Sequence, residues 1–139
     1  MKREYSQNLF SPNSPPGLTL QVQVSPLDGR IRREINGIID TGADFSTIPE
    51  KLAKELQLKT KGGRLVMGFT GKDIEYCETY LITLSLDNKS SFDLEVFSTA
   101  REHCLIGRDV LNQFVIHANG PKKYFRVTDE CSYCIKKIE

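Results

Sequence analysis

A carboxylate follows directly on an apolar run near the end of the first third of the chain. Ile38 and Ile39 predict a buried strand, and Asp40 comes next. An acidic side chain at such a place is costly unless nearby donors satisfy it. Thr41 and Gly42 follow, and they supply a local hydroxyl and a backbone that can turn tightly and bring its amide groups close to the carboxylate. This pattern predicts a carboxylate that is held for chemistry at a strand end.

The residues around this carboxylate resemble the active-site segment of the retropepsin-like aspartic proteases, the family of the retroviral and retrotransposon proteases and their cellular relatives. The matching stretch is Ile39-Asp40-Thr41-Gly42-Ala43-Asp44, followed by Ser46-Thr47-Ile48. Downstream, Leu105-Ile106-Gly107-Arg108-Asp109 resembles the family's apolar-Gly-Arg-Asp/Asn strand and short helix. Between the two, Met67-Gly68-Phe69-Thr70-Gly71 stands where the family places its flap. The bordering strands extend the likeness over residues 18–128.

The resemblance implies an all-β fold, mostly strands with two short helices, which forms a closed acid-protease barrel with one lobe per chain. Peptide hydrolysis by carboxylates needs two of them that share one proton, because one must deprotonate water while the other polarises the scissile carbonyl. The chain has a single Asp-Thr-Gly. We therefore expect a homodimer in which Asp40 and its symmetry mate complete the site.

The resemblance also implies roles for the neighbouring residues. The active-site loop is supported by Thr41, Gly42, Ala43 and Asp44, and by Arg108, which is expected to meet Asp44 as a buried ion pair that costs several kcal/mol to break from one side. The flap residues that bind substrate are Gly68, Phe69, Thr70 and Gly71. A polypeptide substrate is expected to bind in an extended conformation between flap and floor.

Length, net charge and composition limit which partners and cofactors are expected. The chain has 139 residues and a formal net charge of +1, so we expect one domain without a nucleic-acid partner. It has no apolar run long enough for a membrane span or a signal peptide, which predicts a cytoplasmic protein without a membrane partner. The four cysteines suit reduced thiols, and we expect neither a cofactor nor a metal.

Alternating apolar residues and turn signals divide the chain into elements. Strands are predicted over 18–24, 30–35, 38–39, 64–67, 74–76, 80–86, 92–96, 104–106, 114–117 and 123–127, with short helices over 49–57 and 109–114. A turn is expected at Asn36-Gly37, just before the strand that carries Asp40. Residues 1–17 are assigned to a flexible leader, 18–128 to the protease domain and 129–139 to a C-terminal tail. The strands are expected to close into a barrel of six to eight members.

Several alternatives remain at the level of the sequence. The chain could be a catalytically inactive module that kept the cleft for peptide binding or dimerisation. It could also be a zymogen in which residues 1–17 occupy the cleft until they are removed. Cys131 and Cys134 form a lone CxxC, which suits an incidental tail or, in two copies, a four-thiolate site.

Overall fold

The computed structural model describes residues 2–5, 15–67, 73–87 and 90–128. The flap residues at 68–71 and the tail at 129–139, both predicted above, lie outside these ranges.

The described chain is built mainly of strands with two short helices, as the sequence predicts. In chain order the elements are β1 (Lys2–Glu4), β2 (Thr19–Ser25), β3 (Arg33–Ile39), β4 (Thr47–Pro49), α1 (Glu50–Glu55), β5 (Gly62–Met67), β6 (Ile74–Ser85), β7 (Ser91–Thr99), β8 (Cys104–Ile106), α2 (Arg108–Leu111), β9 (Val115–Asn119) and β10 (Tyr124–Thr128). Neither helix in this part of the chain has the length and apolar character to cross a membrane.

Seven strands form one sheet in the order β2-β3-β8-β4-β7-β6-β5, and β2 also pairs with β6. Six of them therefore form a closed circuit of hydrogen-bonded neighbours, from which β5 projects as the outer arm of the β5–β6 hairpin. A second, three-stranded sheet has the order β1-β10-β9. The strand that ends at Asp40 lies inside the circuit, between β2 and β8.

The core lies on one face of this circuit because apolar residues alternate along its longer strands, such as β2 and β6. In β2, for example, Leu20, Val22 and Val24 are buried, and each stabilises the fold by roughly 1.5–3 kcal/mol through its side chain. The other buried core members are Ile48, Leu52, Ala53, Leu56, Tyr80, Ile82, Leu84, Leu86, Val96, Cys104, Ile106, Val110, Leu111, Phe125 and Val127.

The turn predicted at Asn36-Gly37 is wrong, because β3 runs without interruption from Arg33 to Ile39. Gly37 is buried in the sheet, and a Cβ atom there would lie 3.2 Å from the Ile106 side chain. The glycine therefore lets β3 lie close to β8. A glycine inside a strand can mark such a close approach as well as a turn or a bulge.

Further bounds differ from the sequence prediction. Helix α2 spans Arg108–Leu111 and not 109–114, and Thr47–Pro49 forms a strand, β4, that was not predicted. Helix α1 spans six residues and not 49–57, since the chain leaves the helix at Gln57 with a φ of 53°. The two strands predicted over 74–76 and 80–86 are one strand of 12 residues. Within the predicted leader, Lys2–Glu4 pairs with β10, and a strand of three residues is too short to show a periodic pattern in the sequence.

Candidate active site

Asp40 extends the ladder of β3 by one residue. Its N–H donates to the Ile106 carbonyl at 3.0 Å, so strand geometry continues to the carboxylate-bearing residue. The Gly42 N–H then donates to Asp40 Oδ1 at 2.9 Å, and the Ala43 N–H donates to the Asp40 carbonyl at 3.2 Å. A Cβ atom on Gly42 would lie 3.2 Å from that same Oδ1. The tight turn therefore fixes one oxygen of a half-buried carboxylate, as the sequence pattern suggested.

Arg108 joins the start of α2 to the loop that follows Asp40. Its guanidinium bonds the Asp44 carboxylate through Nη2 and donates from Nη1 to the Thr41 carbonyl at 2.8 Å. The structure thus brings together the two side chains that the sequence pairs. The expected burial of this pair is wrong for the single chain, because 43% of the Arg108 side chain and 69% of the Asp44 side chain are exposed. An exposed ion pair contributes only about 0–1 kcal/mol.

A second link between the two segments is buried and was missed in the sequence. The Ser46 hydroxyl donates to Asp109 Oδ1 at 2.7 Å and accepts the Gly107 N–H at 2.9 Å. The Ser46 N–H donates to Asp109 Oδ2 at 3.0 Å. Ser46 belongs to the first matched motif and Asp109 to the second. Only the pairing of β4 with β8 shows that the two residues meet.

Gly107 allows this contact because no side chain fits at its position. A Cβ atom there would lie 2.7 Å from the Phe45 carbonyl carbon and 2.9 Å from the Ala43 carbonyl oxygen. Its φ is −93°, an ordinary value, so the requirement for glycine is one of space. The Arg108 N–H, next in the chain, donates to the same Ala43 carbonyl at 2.9 Å. The loop after Asp40 is thus packed directly on the β8–α2 backbone.

The face of the sheet that carries Asp40 is apolar and lies opposite the core. Ile38 pairs with Leu105, Leu105 with Thr47, and Thr47 with Phe97, so these four residues form a row across four strands. Paired residues present their side chains to one face. Asp40, two residues after Ile38 on the same ladder, shares that face. We call the row of Ile38, Leu105, Thr47 and Phe97 the Asp40 wall.

Phe45 lies beside this wall. It is 49% exposed and packs edge-to-face on Phe97, with 5.6 Å between the ring centroids. An aromatic ring that stays half open to solvent next to an apolar face offers contact area to a further molecule.

The arms of the β5–β6 hairpin carry a second exposed apolar surface. Leu65 is paired with Tyr76 and Met67 with Ile74, and each of the four is at least 63% exposed. These pairs lie on one face of the hairpin, because side chains of directly opposed residues point the same way. The segment that connects the two arms holds the predicted flap residues and lies outside the described ranges.

Within the described residues, the candidate reacting group of one chain is the carboxylate of Asp40. Within the described ranges, no three His, Cys, Asp or Glu side chains are grouped as metal ligands would be. The thiol of Cys104 lies in the core, and burial raises its pKa to about 12. It therefore stays protonated and is a poor nucleophile. Asp40 alone can accept a proton from water, but a second acid is needed to polarise a peptide carbonyl.

Comparison with solved structures supports the fold. The chain resembles a retropepsin-like aspartic protease from Rickettsia conorii with a TM-score of 0.59 and 14% identity, over 91% of this chain and 89% of that one. It resembles the EIAV protease in complex with the inhibitor HBY-793 with a TM-score of 0.58 and 18% identity, over 72% of this chain and 89% of that one. Comparison with the sequences of curated proteins gives no match.

A family model described as "gag-polyprotein putative aspartyl protease" matches residues 28–113. The match includes Asp40, the loop behind it, the hairpin arms and Arg108. It spans more than half of the 139 residues. The chain therefore belongs to this gag-polyprotein aspartyl protease family, which is retropepsin-like.

Proposed function

We propose that the protein is an aspartic endopeptidase that hydrolyses peptide bonds as a homodimer, with one Asp40 from each subunit. The observation that carries this proposal is the positioned carboxylate at the end of β3, whose Oδ1 is fixed by the Gly42 N–H at 2.9 Å. Membership of the aspartyl protease family supports the reaction type. The single Asp-Thr-Gly supports the dimer, because one copy supplies only half of a carboxylate pair.

In the proposed mechanism, the two carboxylates lie side by side and share one proton. The ionised carboxylate takes a proton from a water molecule, whose oxygen attacks the scissile carbonyl carbon. The protonated carboxylic acid donates a hydrogen bond, and then its proton, to the carbonyl oxygen. Collapse of the tetrahedral diol breaks the C–N bond. The leaving nitrogen gains the proton held by one carboxyl group, and a diol hydroxyl gives a proton to the other carboxylate, so the pair again holds one proton.

Substrate recognition in this proposal uses an extended peptide between the Asp40 wall and the β5–β6 hairpin. Gly68, Phe69, Thr70 and Gly71 would act as the tip of the flap. The exposed apolar pairs on the hairpin arms support a binding role for this element, because contiguous exposed apolar surface marks interaction sites.

The loop residues would act by position. Gly42 leaves room for the carboxylate and for the substrate backbone, and Thr41 would brace the loops across the two-fold axis. Arg108 would hold the loop through the Asp44 carboxylate and the Thr41 carbonyl, both of which it contacts. Ser46 and Asp109 would hold the same loop from its buried side.

The experiment that tests the proposal replaces Asp40 with Asn. The amide oxygen of the introduced side chain can still accept the Gly42 N–H, so folding and dimerisation should survive. Cleavage of a peptide library should fall by on the order of 10³-fold or more, because the amide cannot take a proton from water. The matched control is Asp93→Asn, which removes a distant carboxylate whose oxygen accepts the Thr83 hydroxyl at 2.6 Å.

Two results would contradict the proposal. Cleavage that persists in Asp40→Asn would show that the reaction depends on another group. Wild-type protein that binds peptides but cleaves none of them between pH 3 and 8, a range that spans ordinary carboxyl and imidazole titration, would instead favour the inactive peptide-binding module.

A further inference from the structure

The β9–β10 hairpin carries positive charge without any acidic residue. Residues 115–128 include Lys122, Lys123 and Arg126 but neither aspartate nor glutamate, so this segment has a formal charge of +3. The whole chain has a formal charge of only +1, and its remainder is therefore net negative. A basic element on such a chain attracts anionic partners to one part of the surface.

The alternation along β10 decides which side chains of the hairpin face outward. Phe125 and Val127 are buried in the core, so Tyr124 and Arg126, which alternate with them, lie on the opposite face. His117 is paired with Arg126 across the hairpin and shares this face. We call Tyr124, Arg126 and His117 the outer hairpin face.

Arg126 is positioned on this face but lacks an acceptor. Its guanidinium carbon lies 5.6 Å from the centroid of the Tyr124 ring, which is a cation–π contact. The centroid of the His117 ring lies 6.4 Å from that of Tyr124. The Arg126 Nε is buried and has no hydrogen-bond partner among the described residues, an arrangement that an external acceptor would relieve. Because Arg126 as a whole is only half-buried, a partner can reach its guanidinium.

The two lysines of the turn extend the charged surface. Both are exposed, and neither Lys122 nor Lys123 forms an ion pair with a side chain in the described part of the protein. They precede Arg126 by four and three residues, so the cations span about 10–13 Å at ~3.3 Å per residue. An extended peptide covers this distance with about four residues, and acidic side chains at alternate positions share one of its faces.

We propose that the outer hairpin face and the turn lysines bind an acidic segment of a polypeptide partner, with one carboxylate on the Arg126 guanidinium. A carboxylate accepts two parallel N–H bonds from a guanidinium, which gives a strong and directional contact. Tyrosine and arginine are also the residue types that dominate the energy of many protein–protein interfaces. A nucleic-acid strand fits less well, because its phosphates, one for about every 3.4 Å, call for a longer run of cations.

The surface lies outside residues 28–113, the segment that matches the protease family, and the inference does not depend on proteolysis. Its test measures binding of labelled peptides to Asp40→Asn protein by fluorescence anisotropy at ~0.15 M salt, where long-range attraction is screened. A peptide of alternating glutamate and serine should bind. The same peptide with glutamine in place of glutamate should bind about tenfold more weakly or worse, since it loses the charge-assisted bonds.

Variants locate the binding surface. Arg126→Gln should weaken binding of the glutamate peptide by about tenfold or more. Replacement of both turn lysines, Lys122→Gln with Lys123→Gln, should also weaken binding, and these exposed positions keep the test valid if Arg126→Gln does not fold. The control Arg32→Gln removes one charge at an exposed position before β3 and should keep the original affinity.

Four results would overturn the inference. One is the absence of binding to the glutamate peptide, and another is equal weakening by Arg32→Gln and Arg126→Gln, which would reflect net charge alone. Tighter, Arg126-dependent binding of a thymidine oligonucleotide would make nucleic acid the partner. Weaker dimerisation of Arg126→Gln in sedimentation, with unchanged peptide affinity, would assign the face to a contact between subunits.

Discussion

At the scale of single residues, the loop after Asp40 is held by two contacts of different strength. Arg108 contacts the loop on its solvent side, where water screens the ion pair with Asp44. Ser46 holds the loop on its buried side through hydrogen bonds to the Asp109 carboxylate and from the Gly107 N–H. A buried donor or acceptor that loses its partner cannot form a hydrogen bond to water instead. The inner contact, made by Ser46, should therefore contribute more to the stability of the loop than the outer contact, made by Arg108.

Replacement of Ser46 with Ala should lower the free energy of unfolding by about 1–3 kcal/mol, because it leaves the buried Gly107 N–H without an acceptor. Urea denaturation measures the change. Thr60→Ala is the matched control, since its exposed hydroxyl donates to the Gly62 carbonyl at 2.8 Å and its loss should cost less than about 0.5 kcal/mol. Equal losses in the two variants would contradict the dominance of the inner contact.

The sequence predicts the outer contact better than the inner one. Asp44 and Arg108 could be paired because each belongs to a recognisable motif, although their burial could not be judged without the fold. Ser46 and Asp109 are 63 residues apart, and serine within a strand has no pattern that distinguishes a buried partner from an exposed hydroxyl. Thr47 poses the same problem, because only the row of paired strands shows that it faces the same side as Asp40.

At the scale of elements, glycine sets the distances between segments in the site. Gly37 lets β3 lie close to Ile106 of β8, and Gly107 lets the loop after Asp40 lie on the β8–α2 backbone. A glycine in a strand and a glycine in a turn look alike in a single sequence, which is why Asn36-Gly37 suggested a turn. The strand end at Ile38 and Ile39, the presence of two short helices and the terminal hairpin could be predicted, because their apolar patterns are local.

Replacement of Gly107 with Ala should destabilise the protein by about 3 kcal/mol, because the added methyl group would lie 2.7 Å from backbone that cannot rotate away. Thermal or urea unfolding measures this change. Gly120→Ala is the control, since no atom lies within 4 Å of its added Cβ, and its effect should stay within about 0.5 kcal/mol. A Gly107→Ala protein as stable as the control would show that the loop does not pack against this backbone in solution.

At the scale of the whole molecule, the circuit of six strands encloses the core of one chain and places one Asp-Thr-Gly carboxylate, Asp40, at the end of β3. His103, just before β8, is buried, and this burial lowers its pKa from the ordinary value of 6.5, with a further contribution from the Arg101 charge. The fold therefore prefers the neutral imidazole. The unfolded chain binds a proton more readily, so the free energy of unfolding should decrease as the pH falls below 6.5 toward the lowered pKa.

This pH dependence can be isolated with His103→Gln. The difference between the free energies of unfolding at pH 7.5 and 5.5, taken on either side of the ordinary imidazole value, should be smaller in this variant than in wild type. His117→Gln, at an exposed position of β9, should keep the wild-type difference. If His103→Gln shows the wild-type difference as well, protonation of His103 does not contribute to the loss of stability in acid.

The dependence of activity on two copies of the chain is the central claim, and subunit mixing tests it most directly. Wild-type protein is mixed with increasing amounts of Asp40→Asn protein under conditions that allow exchange, and peptide cleavage is measured at constant wild-type concentration. If one Asp40 from each subunit is required, an equal amount of the variant should reduce cleavage to about half, and a threefold excess to about a quarter, as random pairing of two subunits requires. Cleavage that stays constant while mixed dimers form would show that a single Asp40 is sufficient, and would contradict the account.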